Sequence, residues 1–266
     1  MANEGPLAMN VTILERVMRH DRLVVIAGLS LLILLSWSYL LLNADVGTDD
    51  MAGMAMSMGP VPWTLERWAV MLLMWLVMMV AMMLPGAAPM ILLYTRIARG
   101  HDPQSKPAVG TGFFTLGYIA VWSGYSVAAV ALHFWLDHLA LLSPMMKTTS
   151  ITVAGSVLVM AGLYQWTPLK HACLKRCRSP LEFVLSHWRT GANGAFIMGI
   201  QHGLYCVGCC WVIMLLLFFG GVMNPYCIAG IAAFVLVEKL FPGGPWFSRV
   251  AGTLLMAWGV GVLMAL

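Results

Sequence analysis

The sequence predicts an all-α protein, a polytopic transmembrane helical bundle of about seven spans with a cytoplasmic amino terminus. Only 10% of its 266 residues are charged and 61% are hydrophobic, whereas a soluble domain carries about 25% charged residues. The apolar residues also form runs of about 20, the length that crosses a bilayer as a helix. Basic residues cluster in every second connecting segment, which is typical of multi-pass membrane proteins.

Seven apolar runs are candidate spans. They occur at 23–42, 65–84, 110–133, 149–167, 194–219, 225–241 and 248–266. The first run is longer than the ~7–15-residue core of a signal peptide, so we expect an uncleaved span. Pro85 and Pro89 follow the second run and predict a kink or break there, with a second half-helix beyond it.

One transmembrane domain is expected, at 23–266, after a cytoplasmic amino-terminal segment at 1–22. Its outer loop at 43–64 is rich in methionine, and its inner loop at 168–193 is basic and contains cysteine. The chain has no Gly-rich phosphate loop and no basic stripe with interleaved aromatic residues. The sequence therefore argues against nucleic acid as a partner.

The distribution of basic residues sets the predicted orientation. Arg16, Arg19 and Arg22 precede the first span, and only Arg67 and Lys147 fall on the outer side. Lys and Arg concentrate in the cytoplasmic loops of membrane proteins. We therefore expect a multi-pass protein of the inner membrane, with the lipid bilayer as its surroundings.

The fifth span contains the segment HGLYCVGCCW. Because residues three, four and seven apart share a helix face, His202, Cys206 and Cys209 form one stripe, with Cys210 at its edge. Imidazole and thiolate groups suit Cu(I) and, less well, Zn(II). The alternative is that these cysteines are small apolar residues of a membrane helix.

The outer loop and the second span share an abundance of methionine. Loop methionines are spaced by two or three residues, and span methionines follow at steps of three and four, which places them on one helix face. Thioethers select Cu(I) or Ag(I), so the pattern predicts capture of a soft cation outside and its relay inward. The alternatives are a mobile linker and ordinary core packing. The predicted ligands are Met51, Met54, Met56, Met58, Met74, Met78 and Met82.

The inner loop carries a second group of soft residues, His171, Cys173 and Cys177. If this segment is helical, the two cysteines share a face, and the surrounding Lys and Arg should lower their pKa values. A soft-metal exit site, a redox-active pair and a basic turn on the membrane surface all fit. Further on, Glu238 beside Lys239 is either an interfacial ion pair or a counter-charge for a permeating cation.

Four segments carry a family resemblance: MWLVMMVAMMLPGAAPM, YQWTPLKHACLKRC, GLYCVGCCW and EKLFPGG. Together they resemble a bacterial family of predicted metal-binding integral membrane proteins of unknown function. The resemblance covers most of the chain and implies metal binding in a bacterial membrane, without implying a reaction. The matching positions include Met79 and Met83 of the second span, Cys173 and Cys177, and the fifth-span cysteines.

These observations predict a protein that binds Cu(I), for transport across the inner membrane or for delivery there to a copper enzyme or metallochaperone. We expect a binding or transport protein rather than an enzyme, alone or as a homo- or hetero-oligomer. Zinc and haem fit the ligand set less well than copper. Two alternatives stay open: a thiol oxidoreductase or electron carrier, with haem held by His202 and His133, and a structural or assembly subunit.

Overall fold

The structure is a computed structural model that describes residues 22–42, 62–101, 107–143, 146–241 and 244–265. Within these ranges the chain forms helices and no β-strand, which confirms the predicted all-α class. The helices are α1 (Arg22–Leu42), α2 (Leu65–His101), α3 (Pro107–His138), α4 (Ile151–Tyr164), α5 (Pro168–Arg178), α6 (Pro180–His187), α7 (Gly191–Met214), α8 (Leu216–Gly220), α9 (Pro225–Leu240) and α10 (Gly244–Leu263).

Five stretches of helix in the described chain are long and apolar enough to cross a membrane: α1, α2, α3, α7 with α8, and α10. The predicted fourth and sixth spans are shorter helices, α4 with 14 residues and α9 with 16. At 1.5 Å per residue they extend about 21 and 24 Å, less than the ~30 Å of a bilayer core. The count of seven spans and the orientation therefore stay predictions, as does the division into a terminal segment and one domain.

Helix α2 continues through both of its prolines. It has 37 residues with Pro85 and Pro89 inside it, so the predicted second half-helix is present and the predicted break is wrong. Proline at position 85 leaves the carbonyl of Ala81 without its helical donor. The indole Nε1 of Trp37 in α1 donates a hydrogen bond to that carbonyl at 3.1 Å. A neighbouring helix thus supplies the missing donor and allows the backbone to stay helical.

Glycines bring two pairs of helices into backbone contact. Where α3 crosses α7, a Cβ on Gly199 would overlap the carbonyl oxygen of Phe114. Where α4 crosses α10, a Cβ on Gly162 would lie 2.6 Å from the carbonyl oxygen of Gly252. Small residues of this kind let helices pack closely in the absence of a hydrophobic driving force between them.

The predicted inner loop folds into the bundle as α5 and α6. Thr167 caps α5 by accepting a hydrogen bond from the backbone N–H of Lys170 at 3.3 Å, and Pro168 occupies the first turn, where a missing N–H is tolerated. Lys170 and Leu174 of α5 and Phe183 of α6 are buried. One face of the segment is therefore buried, and α5 packs against α7.

We predict that Gly199→Ala lowers the free energy of unfolding by about 1–3 kcal/mol or more, because α3 and α7 must separate to admit a methyl group. The measurement is the thermal unfolding midpoint of detergent-solubilised protein. Gly124→Ala is the matched control, since Gly124 lies on α3 and a Cβ there meets nothing within 4 Å. Equal midpoints for the two variants would show that the α3–α7 contact does not limit stability.

Candidate metal site

The fifth-span cysteines lie on the buried face of α7. Cys206, Cys209 and Cys210 are all fully buried. The thiols of Cys209 and Cys210 donate hydrogen bonds to the backbone carbonyl of Cys206 at 3.1 and 3.0 Å. Their sulfur atoms therefore lie close to one another inside the protein.

Helix α5 brings the inner-loop cysteines to the same place. The thiol of Cys177 lies beside Cys206 and Cys209, and Cys173 packs on Gly208 of α7, where a Cβ would lie 2.7 Å from its Sγ. The two groups of cysteines that the sequence separates thus converge. We call Cys177, Cys206, Cys209 and Cys210 the cysteine site.

The pKa values of the inner-loop thiols differ from the expectation. Desolvation raises the pKa of Cys173, with a further contribution from Cys209. Hydrogen bonds to Cys206 and Cys209, together with desolvation, raise the pKa of Cys177 well above its ordinary value. The predicted lowering by nearby Lys and Arg is wrong, because these thiols face the protein interior rather than the basic surface of α5.

Cys206 is the cysteine of the site that contacts polar and charged groups of other helices. The ammonium group of Lys239 in α9 donates a hydrogen bond to its Sγ at 2.9 Å, and the hydroxyl of Tyr118 in α3 lies 3.0 Å from the same atom. Lys239 is only 8% exposed, and across the described residues it forms no ion pair with a carboxylate. A buried ammonium needs a compensating anion, and Cys206 would supply it as a thiolate.

One methionine of α2 reaches the cysteine site. The Sγ of Cys210 lies 3.9 Å from the Sδ of Met83. The predicted relay face of Met74, Met78 and Met82 is buried in the core, as ordinary packing also requires. The loop methionines Met51, Met54, Met56 and Met58 lie outside the described residues.

The histidines predicted as ligands occupy other surroundings. His202 is 3% exposed, and its ring packs among Phe183, Tyr118 and Phe114 at centroid distances of 5.5, 5.8 and 6.1 Å. Among the residues that the structure describes, its Nδ1 has no hydrogen-bond partner, and neither has the buried Nε2 of His171. Desolvation, together with the charges of Arg249 and Lys170, lowers the pKa of His171.

Haem ligation by His202 and His133 does not fit the fold. His202 packs on Tyr118, whereas His133 lies 15 residues further along α3. At 1.5 Å per residue that separation is about 22 Å, far more than one iron atom can bridge.

A buried ion pair lies beside the cysteine site. Lys170 of α5 contacts Glu238 of α9 with 2.7 Å between Nζ and Oε2, and its Nζ also donates to the carbonyl of Cys209 at 3.0 Å. Ser248 of α10 donates to the other carboxylate oxygen at 2.6 Å, and Arg178 donates to the backbone carbonyl of Glu238 at 2.8 Å. Glu238 therefore pairs with α5 and not with its neighbour Lys239.

The sequence reasoning missed Lys170 as a buried ion and Lys239 as a neighbour of Cys206. The available signal was the Glu-Lys dipeptide in an apolar helix, since charged residues within such helices mark functional sites by default. Taken over the described residues, no group of three or more His, Cys, Asp or Glu side chains is arranged to enclose a metal ion. Four thiols and a thioether nevertheless lie close together, and such soft donors suit Cu(I) best.

Comparison with known proteins identifies the family. The family model PpoB2, described as a copper chaperone, matches residues 72–262. The match covers well over half of the chain and includes the whole cysteine site with Met83, so the chain belongs to this copper chaperone family. No curated protein and no solved structure matches the chain. The prediction that the chain belongs to a metal-binding family is thus confirmed, and the family name indicates copper as the metal.

We predict that Lys170→Met destabilises the protein by about 3–5 kcal/mol, because the buried carboxylate of Glu238 loses its counter-charge. Adding Glu238→Gln should recover much of this loss in thermal unfolding. Arg176→Met serves as the control on the same helix. Arg176 pairs with Glu182 with 3.5 Å between Nη1 and Oε1, and the two side chains are 41% and 55% exposed. Such exposed pairs contribute about 0–1 kcal/mol. A double variant as unstable as Lys170→Met would contradict this account of the ion pair.

Proposed function

We propose that this copper chaperone family member binds Cu(I) as cargo at the cysteine site and passes it to a copper enzyme or metallochaperone, or across the bilayer, in a bacterial inner membrane. One observation carries the proposal: cysteines from two helices converge on Cys206, whose sulfur already faces the ammonium of Lys239 at 2.9 Å. Family membership independently indicates copper binding or delivery.

The donor set supports Cu(I) as the bound form. Thiolate and thioether groups are soft ligands that favour Cu(I), whereas carboxylates favour harder ions. Zn(II) is almost always held by four ligands in structural sites, and Cu(I) accepts fewer. Cys206 as a thiolate and Cys209 or Cys210 beside it supply two anionic ligands, and Met83 offers a neutral third one.

The route of the ion is part of the proposal. The loop methionines would capture copper outside, and Met74, Met78 and Met82 would pass it along α2 to Met83. Cys177 would hold the ion together with the α7 cysteines, because its thiol lies beside two of them. Release would then begin with Cys177 leaving the site, and His171 and Cys173 on the same helix α5 would receive the ion.

We predict that Cys206→Ser abolishes stoichiometric binding of Ag(I), an air-stable substitute for Cu(I), because the charged ligand of the site is lost. The measurement is metal content of purified, detergent-solubilised protein by elemental analysis. Cys227→Ser is the matched control, since Cys227 lies in the first turn of α9 and packs against Gly220 at the end of α8. Equal metal content in Cys206→Ser and in the wild type would remove the cysteine site from the proposal.

The same contacts favour a second function, that of a membrane thiol oxidoreductase. Cys177 and Cys206 or Cys209 could form a disulfide by giving two electrons and two protons to an oxidant such as a quinone. All six cysteines are free, which is the reduced state of such an enzyme and also the state that binds copper.

Thiol counting separates the two functions. If the protein carries copper, six free thiols should be titrated in denatured protein both before and after exposure to a soluble quinone under argon. A loss of two thiols that depends on Cys177, with the disulfide located by peptide mass spectrometry, would favour the oxidoreductase. A Cys227→Ser variant calibrates the count, because it removes one thiol outside the cysteine site.

A further inference from the structure

Lys239 is built into the interior at a cost that packing alone does not explain. Its side chain leaves α9 and passes along α2, where a Cβ on Gly86 would lie 3.1 Å from its Cδ and 3.3 Å from its Nζ. The absence of a side chain at Gly86 thus makes room for the ammonium group beside Cys206. An apolar residue would fill this space without the cost of burying a charge.

The charged and polar groups around Lys239 do not neutralise its positive charge, which therefore acts on the cysteine site. From α5, Lys170 is paired with Glu238, so these two charges cancel. From α5 also, Arg178 donates to a backbone carbonyl of α9. From α3, Tyr118 contributes a neutral hydroxyl. Helix α10 contributes the neutral hydroxyl of Ser248 to Glu238.

The resulting charge balance depends on the ion that binds. A monovalent ion held by two thiolates carries one negative charge, which the ammonium of Lys239 neutralises. A divalent ion on the same two thiolates is itself neutral, and the ammonium then leaves one uncompensated positive charge. A net charge in a low-dielectric interior is costly, so the fixed ammonium favours the monovalent complex.

We propose that Lys239 is the residue that makes the cysteine site selective for a monovalent soft ion over a divalent one. When the ion enters, one thiol of the site loses its proton to water and becomes the second thiolate. One positive charge enters and one leaves, so the total charge of the site is unchanged. Lys239 acts through the field it imposes on the ligands and does not coordinate the ion.

This inference rests on the proposed function. A measurement of ion selectivity separates a failure of the inference from a failure of that function. The experiment is a competition titration of purified full-length protein with Ag(I) and Cd(II), both of which bind thiolates. It uses wild type, Lys239→Met, Lys239→Gln and the control Lys175→Met, whose lysine is exposed on α5. Lys239→Gln keeps a hydrogen-bond donor towards Cys206 and removes only the charge.

In both Lys239 variants the ratio of Ag(I) to Cd(II) affinity should fall by about tenfold or more, and in Lys175→Met it should not change. An unchanged ratio in Lys239→Gln and Lys239→Met, or equal losses of both affinities, overturns the inference and leaves copper binding intact. Wild-type protein that binds Cd(II) as tightly as Ag(I) also overturns it. Wild-type protein that binds neither ion overturns the proposed function itself.

Discussion

The contact between the ammonium of Lys239 and the sulfur of Cys206 is the interaction on which the interior depends. It places a charged group from α9 against α7 with 2.9 Å between the two atoms, in an interior where an unpaired charge is costly. Gly86 of α2 admits the lysine side chain, and Tyr118 of α3 adds its hydroxyl. Four helices therefore meet around a single sulfur atom.

The adjacent residue on α9 extends this arrangement to α5. Successive residues of a helix point about 100° apart, so Glu238 faces α5 while Lys239 faces α7. The carboxylate of Glu238 pairs with Lys170, and α5 is the helix that carries Cys177 into contact with Cys206 and Cys209. Two neighbouring charges of opposite sign on α9 thus border the cysteine site: Lys239 contacts Cys206, and Glu238 holds α5 through Lys170.

The periodicity of the sequence predicts the long apolar helices and the stripe of His202, Cys206 and Cys209 on α7, because both follow from local geometry. It could not predict that Cys177 joins them, since that contact depends on how α5 folds back into the bundle. Periodicity likewise places methionines on one face of α2 without saying what that face touches, and the sulfur that meets Cys210 belongs to Met83 instead. The helix also survives Pro85 because of a donor from Trp37, which no local rule foresees.

A metal chaperone has to be stable both with and without its metal, and the contact between Lys239 and Cys206 bears on the metal-free form. When copper leaves a site made only of thiolates, the remaining anions repel one another and the protein must protonate or rearrange. Here the ammonium of Lys239 stays beside Cys206, and the other thiols donate hydrogen bonds to the Cys206 carbonyl. If copper binds there as proposed, the empty site would already be compensated, and release of the ion would carry no large structural cost.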